Sequence, residues 1–276
     1  MTPCTRRWAR ITTAASAAAA ITYAAFLGAL YFRQEQLIFP GRPLAAGYQF
    51  QFDQRFEEIR IPVAGATLDA LHFTQERARG LVFFLHGNAG NLQTWTTGID
   101  FYRRVNYDLF MLDYRGYGKS TGRIESEEQL DADVRAAWDT IAPRYRDKPI
   151  VIYGRSLGTG LATKLASEVS AQLLILVSPY SSLASAAKVE YPWAPEWLLK
   201  YPLRTDQVIG RVQMPIVLLH GRNDRRIPLA NSERLAALAR SPVELIVVEG
   251  AGHDDIHRFP GYLDALAAHL LAVNKP

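Results

Sequence analysis

The feature that most limits the fold of this chain is an alternation of short apolar runs with amphipathic stretches from about residue 56 onward. The runs are rich in Val, Ile, Leu and Phe, and the later ones are almost continuously apolar, as strands covered on both faces are. Between them apolar residues recur at helical spacing, for example over residues 126–141. This order predicts an α/β fold of βαβ units, with helices on both faces of a mostly parallel sheet.

The predicted elements account for most of this region. We predict eight strands, at residues 57–61, 68–73, 81–85, 109–112, 150–153, 173–177, 216–219 and 244–248. Three predicted helices span residues 126–141, 232–238 and 263–273. A chain of 276 residues with 49% hydrophobic and 21% charged residues is neither disordered, nor collagen-like, nor a polytopic transporter. We therefore assign residues 56–276 to one α/β domain.

A long uncharged segment precedes this domain. Residues 11–32 contain no charged side chain and follow three arginines within residues 1–10. A helix of this length, rising about 1.5 Å per residue, crosses the hydrocarbon core of a bilayer. The sequence therefore predicts a basic N-terminal segment over 1–10, a transmembrane anchor over 11–32 and a juxtamembrane linker over 33–55. A cleaved signal peptide and a buried core helix are the alternatives, and the small residues precede the most apolar part, which favours an uncleaved anchor.

Charges near the anchor predict its orientation. Lys and Arg concentrate on the cytoplasmic side of membrane segments, so Arg6, Arg7 and Arg10 predict a cytoplasmic N-terminus and an extracytoplasmic domain, periplasmic in a Gram-negative cell. The same arginines supply most of the formal net charge of +4, so no basic face for nucleic acid is expected. A single cysteine, Cys4, excludes an internal disulfide.

One pentapeptide has the pattern of a nucleophile. Gly154-Arg155-Ser156-Leu157-Gly158 follows a predicted strand and begins a helical pattern. In a G-x-S-x-G turn the small residues let the chain pass sharply from strand to helix, which exposes the serine hydroxyl. The pentapeptide also occurs in ordinary turns, but the strand before it and the helix after it favour Ser156 as a nucleophile.

A serine hydroxyl needs a base, and the base needs an orienting acid. In this type of site the acid and then the base follow later strands. Asp224 follows the predicted strand 216–219 and is the predicted acid. His253 follows the last strand, in a loop of small residues, and is the predicted base. Asp254 and Asp255 lie on the same loop and are expected to cap the next helix.

Acyl transfer also needs donors for the oxyanion. The predicted donors are two backbone N–H groups. One belongs to Leu157, directly after the nucleophile, and the other to Asn88, in the glycine-containing loop after the strand 81–85. His86 begins this loop and is expected to hold its shape.

Two other motifs are expected to have no cofactor role. Residues 116–120 end in Gly-Lys-Ser like a phosphate-binding loop, but Asp113 stands where the first glycine is needed. His253 and His257 have the spacing of zinc ligands on a helix, but Asp254 stands where that motif has Glu. We therefore predict neither a cofactor nor a metal.

Residues 185–211, between two late strands, are rich in aromatic residues and proline and predict a short cap. Tyr180, Trp193 and Trp197 are the predicted substrate contacts. In one interpretation they line an apolar acyl channel and touch the bilayer surface. In the alternative the aromatic residues of the cap only pack it on the sheet.

Five motifs together resemble the α/β-hydrolase superfamily. They are His86-Gly87-Asn88-Ala89-Gly90-Asn91, Asp113-Tyr114-Arg115-Gly116-Tyr117-Gly118-Lys119-Ser120, Gly154-Arg155-Ser156-Leu157-Gly158-Thr159, His220-Gly221-Arg222-Asn223-Asp224 and Gly252-His253. More narrowly, they are similar to its membrane-anchored ABHD-type branch, which is grouped with serine aminopeptidase-like hydrolases. The resemblance spans about residues 33–270. It implies the α/β-hydrolase fold, the Ser-Asp-His triad and hydrolysis of esters or thioesters of lipid-like acyl groups.

The sequence thus predicts a membrane-tethered serine hydrolase that forms an acyl-enzyme intermediate and needs no cofactor. Its expected partners are a lipid-like or acyl-ester substrate and the bilayer, and its oligomeric state stays open. One alternative is a serine aminopeptidase-like peptidase, which needs an acidic pocket for the substrate amine. The other is a non-catalytic scaffold with the same fold. A complete set of catalytic residues in the expected order favours an enzyme over the scaffold.

Overall fold

The computed structural model describes residues 3–45 and 47–273, and for residues 3–7, 9 and 10 it describes the backbone alone. The other residues (1, 2, 46 and 274–276) and the side chains of Cys4, Arg6, Arg7 and Arg10 lie outside this description. They belong to the predicted basic segment, linker and domain.

Eight strands form one sheet in the described part of the chain. They are β1 Phe56–Val63, β2 Ala66–Phe73, β3 Leu81–Leu85, β4 Asp108–Asp113, β5 Ile150–Arg155, β6 Leu173–Val177, β7 Ile216–Gly221 and β8 Val243–Val248. Their spatial order is β1-β2-β4-β3-β5-β6-β7-β8. β2 is antiparallel to β1 and to β4, and the other neighbours are parallel. The predicted mostly parallel, eight-stranded sheet is confirmed, with small differences at the strand ends.

Helices connect and flank the strands. They are α1 Pro3–Ile38, α2 Leu92–Trp95, α3 Ile99–Arg104, α4 Glu127–Ile141, α5 Gly158–Ala166, α6 Leu183–Glu190, α7 Thr205–Val208, α8 Ala230–Leu238 and α9 Pro260–Ala272. Short 3₁₀ turns lie at Thr96–Gly98, Ala142–Tyr145, Glu196–Leu198, Ile209–Arg211 and Ile256–Arg258. The predicted helices 126–141, 232–238 and 263–273 correspond to α4, α8 and α9. α4 is capped by Ser126, whose hydroxyl accepts the N–H of Gln129 at 3.1 Å.

Both faces of the sheet are covered, because successive strand residues point to opposite sides. In β3, Phe83 belongs to the apolar cluster that packs against α4 and α5, where Leu130 and Leu161 are buried. Its neighbour Phe84 belongs to the opposite cluster, which includes Leu266 of α9. Burial on both sides explains why the central strands are continuously apolar in sequence.

The parallel strands direct their carboxyl ends to one edge of the sheet. β3, β5, β7 and β8 run in the same direction. The loops after them contain His86, Ser156, Asp224 and His253. Parallel topology therefore collects residues that are far apart in sequence at one edge, as in other open α/β sheets.

The N-terminal helix α1 continues beyond the predicted anchor. Among the described residues, Ile11–Ile38 is the one helical stretch that is long and apolar enough to cross a membrane, by length and composition, and its most apolar part is not buried by the domain. The helix ends at Ile38, just before Pro40, and not at residue 32.

The segment predicted as a linker over 33–55 packs against the domain. Gln34 donates its amide N–H to the Leu198 carbonyl at 3.1 Å and accepts the Lys200 N–H at 2.8 Å. Further along, the Arg42 N–H donates to the Gly90 carbonyl at 3.0 Å. The predicted linker therefore lies against the domain at these residues, where the Gln34 amide and the Arg42 backbone satisfy polar backbone groups of the domain.

Candidate active site

The turn between β5 and α5 places the Ser156 side chain at the carboxyl edge of the sheet. Ser156 has a φ of +51°, in the left-handed region, which costs a non-glycine residue about 1–3 kcal/mol. A Cβ on Gly154 would lie 2.5 Å from the Gly158 carbonyl oxygen, and a Cβ on Gly158 would collide with the Leu85 carbonyl. The turn therefore requires glycine two residues before and two residues after the serine.

The three residues predicted as a triad are joined by two hydrogen-bond contacts, both through His253. The Ser156 Oγ lies 2.9 Å from the His253 Nε2. The His253 Nδ1 lies 2.7 Å from the Asp224 Oδ2. In the tautomer that satisfies both contacts, Nδ1–H donates to the carboxylate and Nε2 accepts from the serine hydroxyl. This is the protonation state in which an imidazole accepts a proton from serine.

Asp224 is held in one orientation by its backbone surroundings. Its Oδ1 accepts the N–H groups of Arg226 at 2.9 Å and Ile227 at 2.8 Å, which leaves Oδ2 for His253. Burial raises the pKa of Asp224, but hydrogen bonds from His220 and His253 outweigh burial and hold this pKa well below its usual range. The carboxylate is therefore ionised at neutral pH and stabilises a positive charge on His253.

The loop that carries His253 is fixed by a carboxylate beside it. Asp255 Oδ1 accepts the Gly252 N–H at 2.7 Å. Its side chain makes no capping hydrogen bond to the 3₁₀ turn that follows, so the expected helix cap was wrong. The contact with the Gly252 N–H holds the backbone next to His253.

The two predicted oxyanion donors belong to the turn that carries Ser156 and to the loop after β3. The Leu157 N–H is at the start of α5, where N–H groups have no partner within the helix. In the other loop, His86 Nδ1 donates to the Gly87 carbonyl at 2.7 Å. Because N–H and C=O point in opposite directions in a trans peptide, the Asn88 N–H points away from His86. Gly87 lies against the nucleophile, since a Cβ there would be 3.6 Å from the Ser156 Cβ.

Aromatic hydroxyls from the 113–120 motif hold this loop in place. Tyr117 donates to the Asn88 carbonyl at 2.6 Å, and Tyr114 donates to the His86 carbonyl at 2.8 Å. Asp113 Oδ1 accepts the Leu92 N–H at 3.0 Å. Sequence reasoning used this motif for the resemblance but gave these residues no role. Their hydroxyls orient the peptide groups of the oxyanion loop.

None of the three predicted substrate contacts lines the groove that contains Trp95 and Arg155. Tyr180 is buried, and its hydroxyl donates to the Leu157 carbonyl at 3.0 Å, so it supports the turn from beneath. Trp193 packs on Phe26 of α1 with ring centroids 4.8 Å apart, and Trp197 is 76% exposed. Within the cap, Trp193 therefore faces α1.

Two residues that sequence reasoning missed lie next to the nucleophile. The Trp95 ring would touch a Cβ on Gly87 at 2.9 Å, and its Nε1–H donates to the Ala89 carbonyl at 2.8 Å. The Arg155 guanidinium lies 5.4 Å from the centre of a Trp95 ring. Arg155 was visible within the G-x-S-x-G motif, but the sequence did not show where its side chain would point.

Comparisons with known proteins show what this chain is similar to. A family model described as serine aminopeptidase, S33, matches residues 76–207. The alpha/beta hydrolase domain-containing protein 17B of Xenopus laevis is 34% identical over 194 residues, which are 68% of this chain and 65% of that protein. The chain belongs to the α/β-hydrolase superfamily. It spans slightly less than two thirds of the length of that curated relative.

Solved structures share the α/β-hydrolase fold of this chain. An esterase from Pyrococcus furiosus has a TM-score of 0.67 at 21% identity, over 83% of this chain and 98% of that chain. A monoacylglycerol lipase from Paleococcus ferrophilus has a TM-score of 0.61 at 17% identity, over 75% of this chain and 99% of that chain. The predicted superfamily and fold are therefore confirmed.

Proposed function

We propose that this α/β-hydrolase is a membrane-tethered serine hydrolase that cleaves carboxylic esters or thioesters through an acyl-enzyme intermediate. The observation that carries the proposal is the chain of contacts from Asp224 to His253 at 2.7 Å and from His253 to Ser156 at 2.9 Å. An esterase and a monoacylglycerol lipase among the structures of the same fold add support for ester chemistry.

In the first half of the reaction, the Ser156 Oγ attacks the acyl carbonyl while His253 Nε2 takes the hydroxyl proton. The Leu157 and Asn88 N–H groups donate to the oxygen that becomes negative. Asp224 stabilises the imidazolium that forms. The tetrahedral intermediate then collapses, and His253 gives the proton to the departing alcohol or thiol.

The second half repeats these steps with water. His253 takes a proton from water, which attacks the acyl carbon, and the acid leaves as Ser156 regains its proton. The same donors stabilise the second tetrahedral intermediate. No step requires a group from outside the chain other than water.

Tethering rests on α1. Its exposed apolar stretch Ile11–Ile38 is long enough to cross the hydrocarbon core of a bilayer. The carboxyl end of α1 contacts the cap through Gln34 and through an ion pair of Glu35 with Lys200 at 2.9 Å. These contacts hold the domain next to the helix, and therefore next to lipid. The arginines before the segment favour an extracytoplasmic domain.

A peptidase that removes N-terminal residues is a weaker alternative, because the surface beside Ser156 has excess positive charge. Arg42, Arg104, Arg155 and Arg258 line it, and they would repel a substrate ammonium. A non-catalytic scaffold is a further alternative. The hydrogen-bond contacts from Asp224 through His253 to Ser156 argue against it.

Labelling with a fluorophosphonate probe tests the proposal. We expect wild-type protein in detergent to be labelled and Ser156→Ala to remain unlabelled, because the probe reacts with an activated serine. Thermal unfolding of both proteins checks that the variant is folded. Absence of labelling in folded wild-type protein would support the scaffold and contradict the proposal.

Membrane orientation is tested separately. We expect protease added outside spheroplasts to digest the domain, while an epitope at the N-terminus stays protected. Protection of the domain would reverse the orientation, and release of the domain by carbonate washing would contradict tethering by α1.

A further inference from the structure

A groove of about 880 Å³ opens beside the nucleophile, between the segment that contains α2 and α3 and the segment that contains α9. Its floor is apolar and aromatic, and it is formed by residues of three neighbouring strands and of α9: Phe84, Leu109, Met111, Tyr153 and Leu266. A groove of this size and lining has room for a hydrocarbon chain.

The groove lies next to the residues of the candidate active site, although none of the triad residues lines it. Three of its lining residues, Ala89, Arg155 and Asp254, are the chain neighbours of Asn88, Ser156 and His253. Its Trp95 wall is in contact with Gly87, which lies against Ser156. A molecule in the groove therefore lies beside the nucleophile.

The rim of the groove has an excess of positive charge. Arg42, Arg104, Arg155 and Arg258 line it, and none of them forms an ion pair with a carboxylate of residues 3–45 or 47–273. Two carboxylates also line the groove, but each is engaged by another arginine. Asp100 pairs with Arg103 at 3.2 Å, and Asp254 pairs with Arg226 at 3.3 Å.

Arg155 illustrates the imbalance. Its guanidinium lies over Trp95 and donates to the backbone carbonyl of Asp254 at 3.4 Å, a neutral acceptor. The excess of positive charge also acts on His257. Burial lowers the pKa of His257, and the positive charges of Arg155 and Arg258 lower it further. The surroundings thus disfavour a further cation and favour an anion.

We propose that this groove binds acyl esters that carry an anionic phosphate group, with the acyl chain on the aromatic floor and the phosphate at the arginine rim. The inference rests on the proposed function and names its substrate class. Guanidinium groups form paired, charge-assisted hydrogen bonds with phosphate oxygens, and unpaired arginines supply these bonds without first breaking an ion pair. The apolar floor and the basic rim together match a single-chain phospholipid better than a neutral ester.

The test compares three substrates that share one acyl chain and one glycerol ester. They are 1-palmitoylglycerol, 1-palmitoyl-lysophosphatidylcholine and 1-palmitoyl-lysophosphatidic acid, each at the same mole fraction in micelles of one neutral detergent. For full-length wild-type protein we expect kcat/KM to be about tenfold or more higher for lysophosphatidic acid than for the neutral ester. The zwitterionic lipid is expected to lie between them.

Variants at the rim show whether the groove causes the preference. The double variant Arg104→Gln, Arg258→Gln is expected to bring the ratio of anionic to neutral kcat/KM close to one. The control, Arg146→Gln, also removes an exposed arginine, but it follows the 3₁₀ turn before β5 at the opposite edge of the sheet. It is expected to keep the wild-type ratio, which separates the groove from a general attraction of the protein to anionic micelles.

The outcomes distinguish this inference from the proposed function. Equal hydrolysis of all three lipids, or a ratio that the double variant leaves unchanged, overturns the inference while ester hydrolysis stands. A ratio that Arg146→Gln lowers as much as the double variant does also overturns it. Failure to hydrolyse any of the three by protein that a fluorophosphonate does not label overturns both.

Discussion

The His253–Asp224 and His86–Asp113 pairs both lie at the carboxyl edge of the sheet, and they differ in what surrounds the imidazole. His253 approaches Asp224 at 2.7 Å and is partly exposed, with its other nitrogen 2.9 Å from Ser156. His86 lies 3.4 Å from Asp113 and is completely buried, with its other nitrogen bonded to the adjacent backbone.

The comparison shows that a His–Asp pair does not by itself make a base. Both ring nitrogens of His86 face protein groups, and the ring lies between Trp95 and Tyr114 at centroid distances of 5.6 and 4.4 Å. His253 keeps one nitrogen for a hydroxyl that substrate can reach. The His86–Asp113 pair supports a loop, and the His253–Asp224 pair is arranged for proton transfer.

A very large effect is expected when the orientation of His253 is disturbed. Asp224→Asn is expected to lower kcat on a fluorogenic ester by about 10⁴-fold, because the amide favours the wrong tautomer of His253. A lysate-free assay with purified protein and active-site titration is needed to exclude residual wild type. Near-full activity of the folded variant would show that Asp224 is not the acid.

Replacement of the buried histidine separates the two pairs by stability. His86→Ala is expected to destabilise the fold by about 3 kcal/mol, because it leaves a cavity under the oxyanion loop, and to lower kcat by about 10²-fold through the misplaced Asn88 donor. Urea denaturation and ester hydrolysis measure both effects.

His253→Ala is the matched variant. It is expected to abolish hydrolysis with a smaller loss of stability, since His253 is partly exposed. Equal stability losses for the two alanine variants would contradict the distinction between supporting and reacting pairs.

A smaller effect is expected when the hydrogen bond that supports the oxyanion loop is removed. Tyr117→Phe removes the hydroxyl that donates to the Asn88 carbonyl, and it is expected to cost about 1 kcal/mol of stability and to lower kcat several-fold. Tyr107→Phe removes a similar bond to the Leu270 carbonyl, 2.7 Å long, away from the triad. The control is expected to lose stability without losing kcat, and a loss of kcat in both would point to a general loosening of the fold.

The smallest effect is the pH dependence of stability. The pKa of Asp224 is lower in the folded than in the unfolded chain, so its contribution is fully present above about pH 4 and is lost as pH falls through the folded pKa. The urea midpoint of wild type is therefore expected to fall more steeply below pH 4 than that of Asp224→Asn. If the urea midpoints of both proteins fell equally with pH, the contacts of the Asp224 carboxylate would not stabilise the folded chain.

Much of the candidate site was predictable because short local patterns carry it. The strand–turn–helix pattern around Ser156 follows from two glycines that no larger residue can replace. The positions of Asp224 and His253 follow from the order of strands, since parallel strands end at one edge. The sheet itself followed from the apolar periodicity.

Other features were missed because they depend on which surfaces meet. Tyr180 and Trp193 have the composition of substrate contacts, yet one supports the turn and the other packs on α1. Residues 33–55 have the composition of a linker, yet within them the Arg42 N–H donates to the Gly90 carbonyl. Periodicity indicates which residues are buried or exposed, but it does not predict which side chains they contact after folding.

By itself the sequence determined the order of strands and helices, the turn at Ser156 and the apolar segment before the domain. Only the tertiary structure decided that the His86 side chain is fully buried while the His253 side chain is partly exposed. It also decided that Trp95 and four arginines line one groove. The reason is physical: backbone preference and periodicity act over a few residues, whereas burial and charge balance depend on chain segments that meet only after folding.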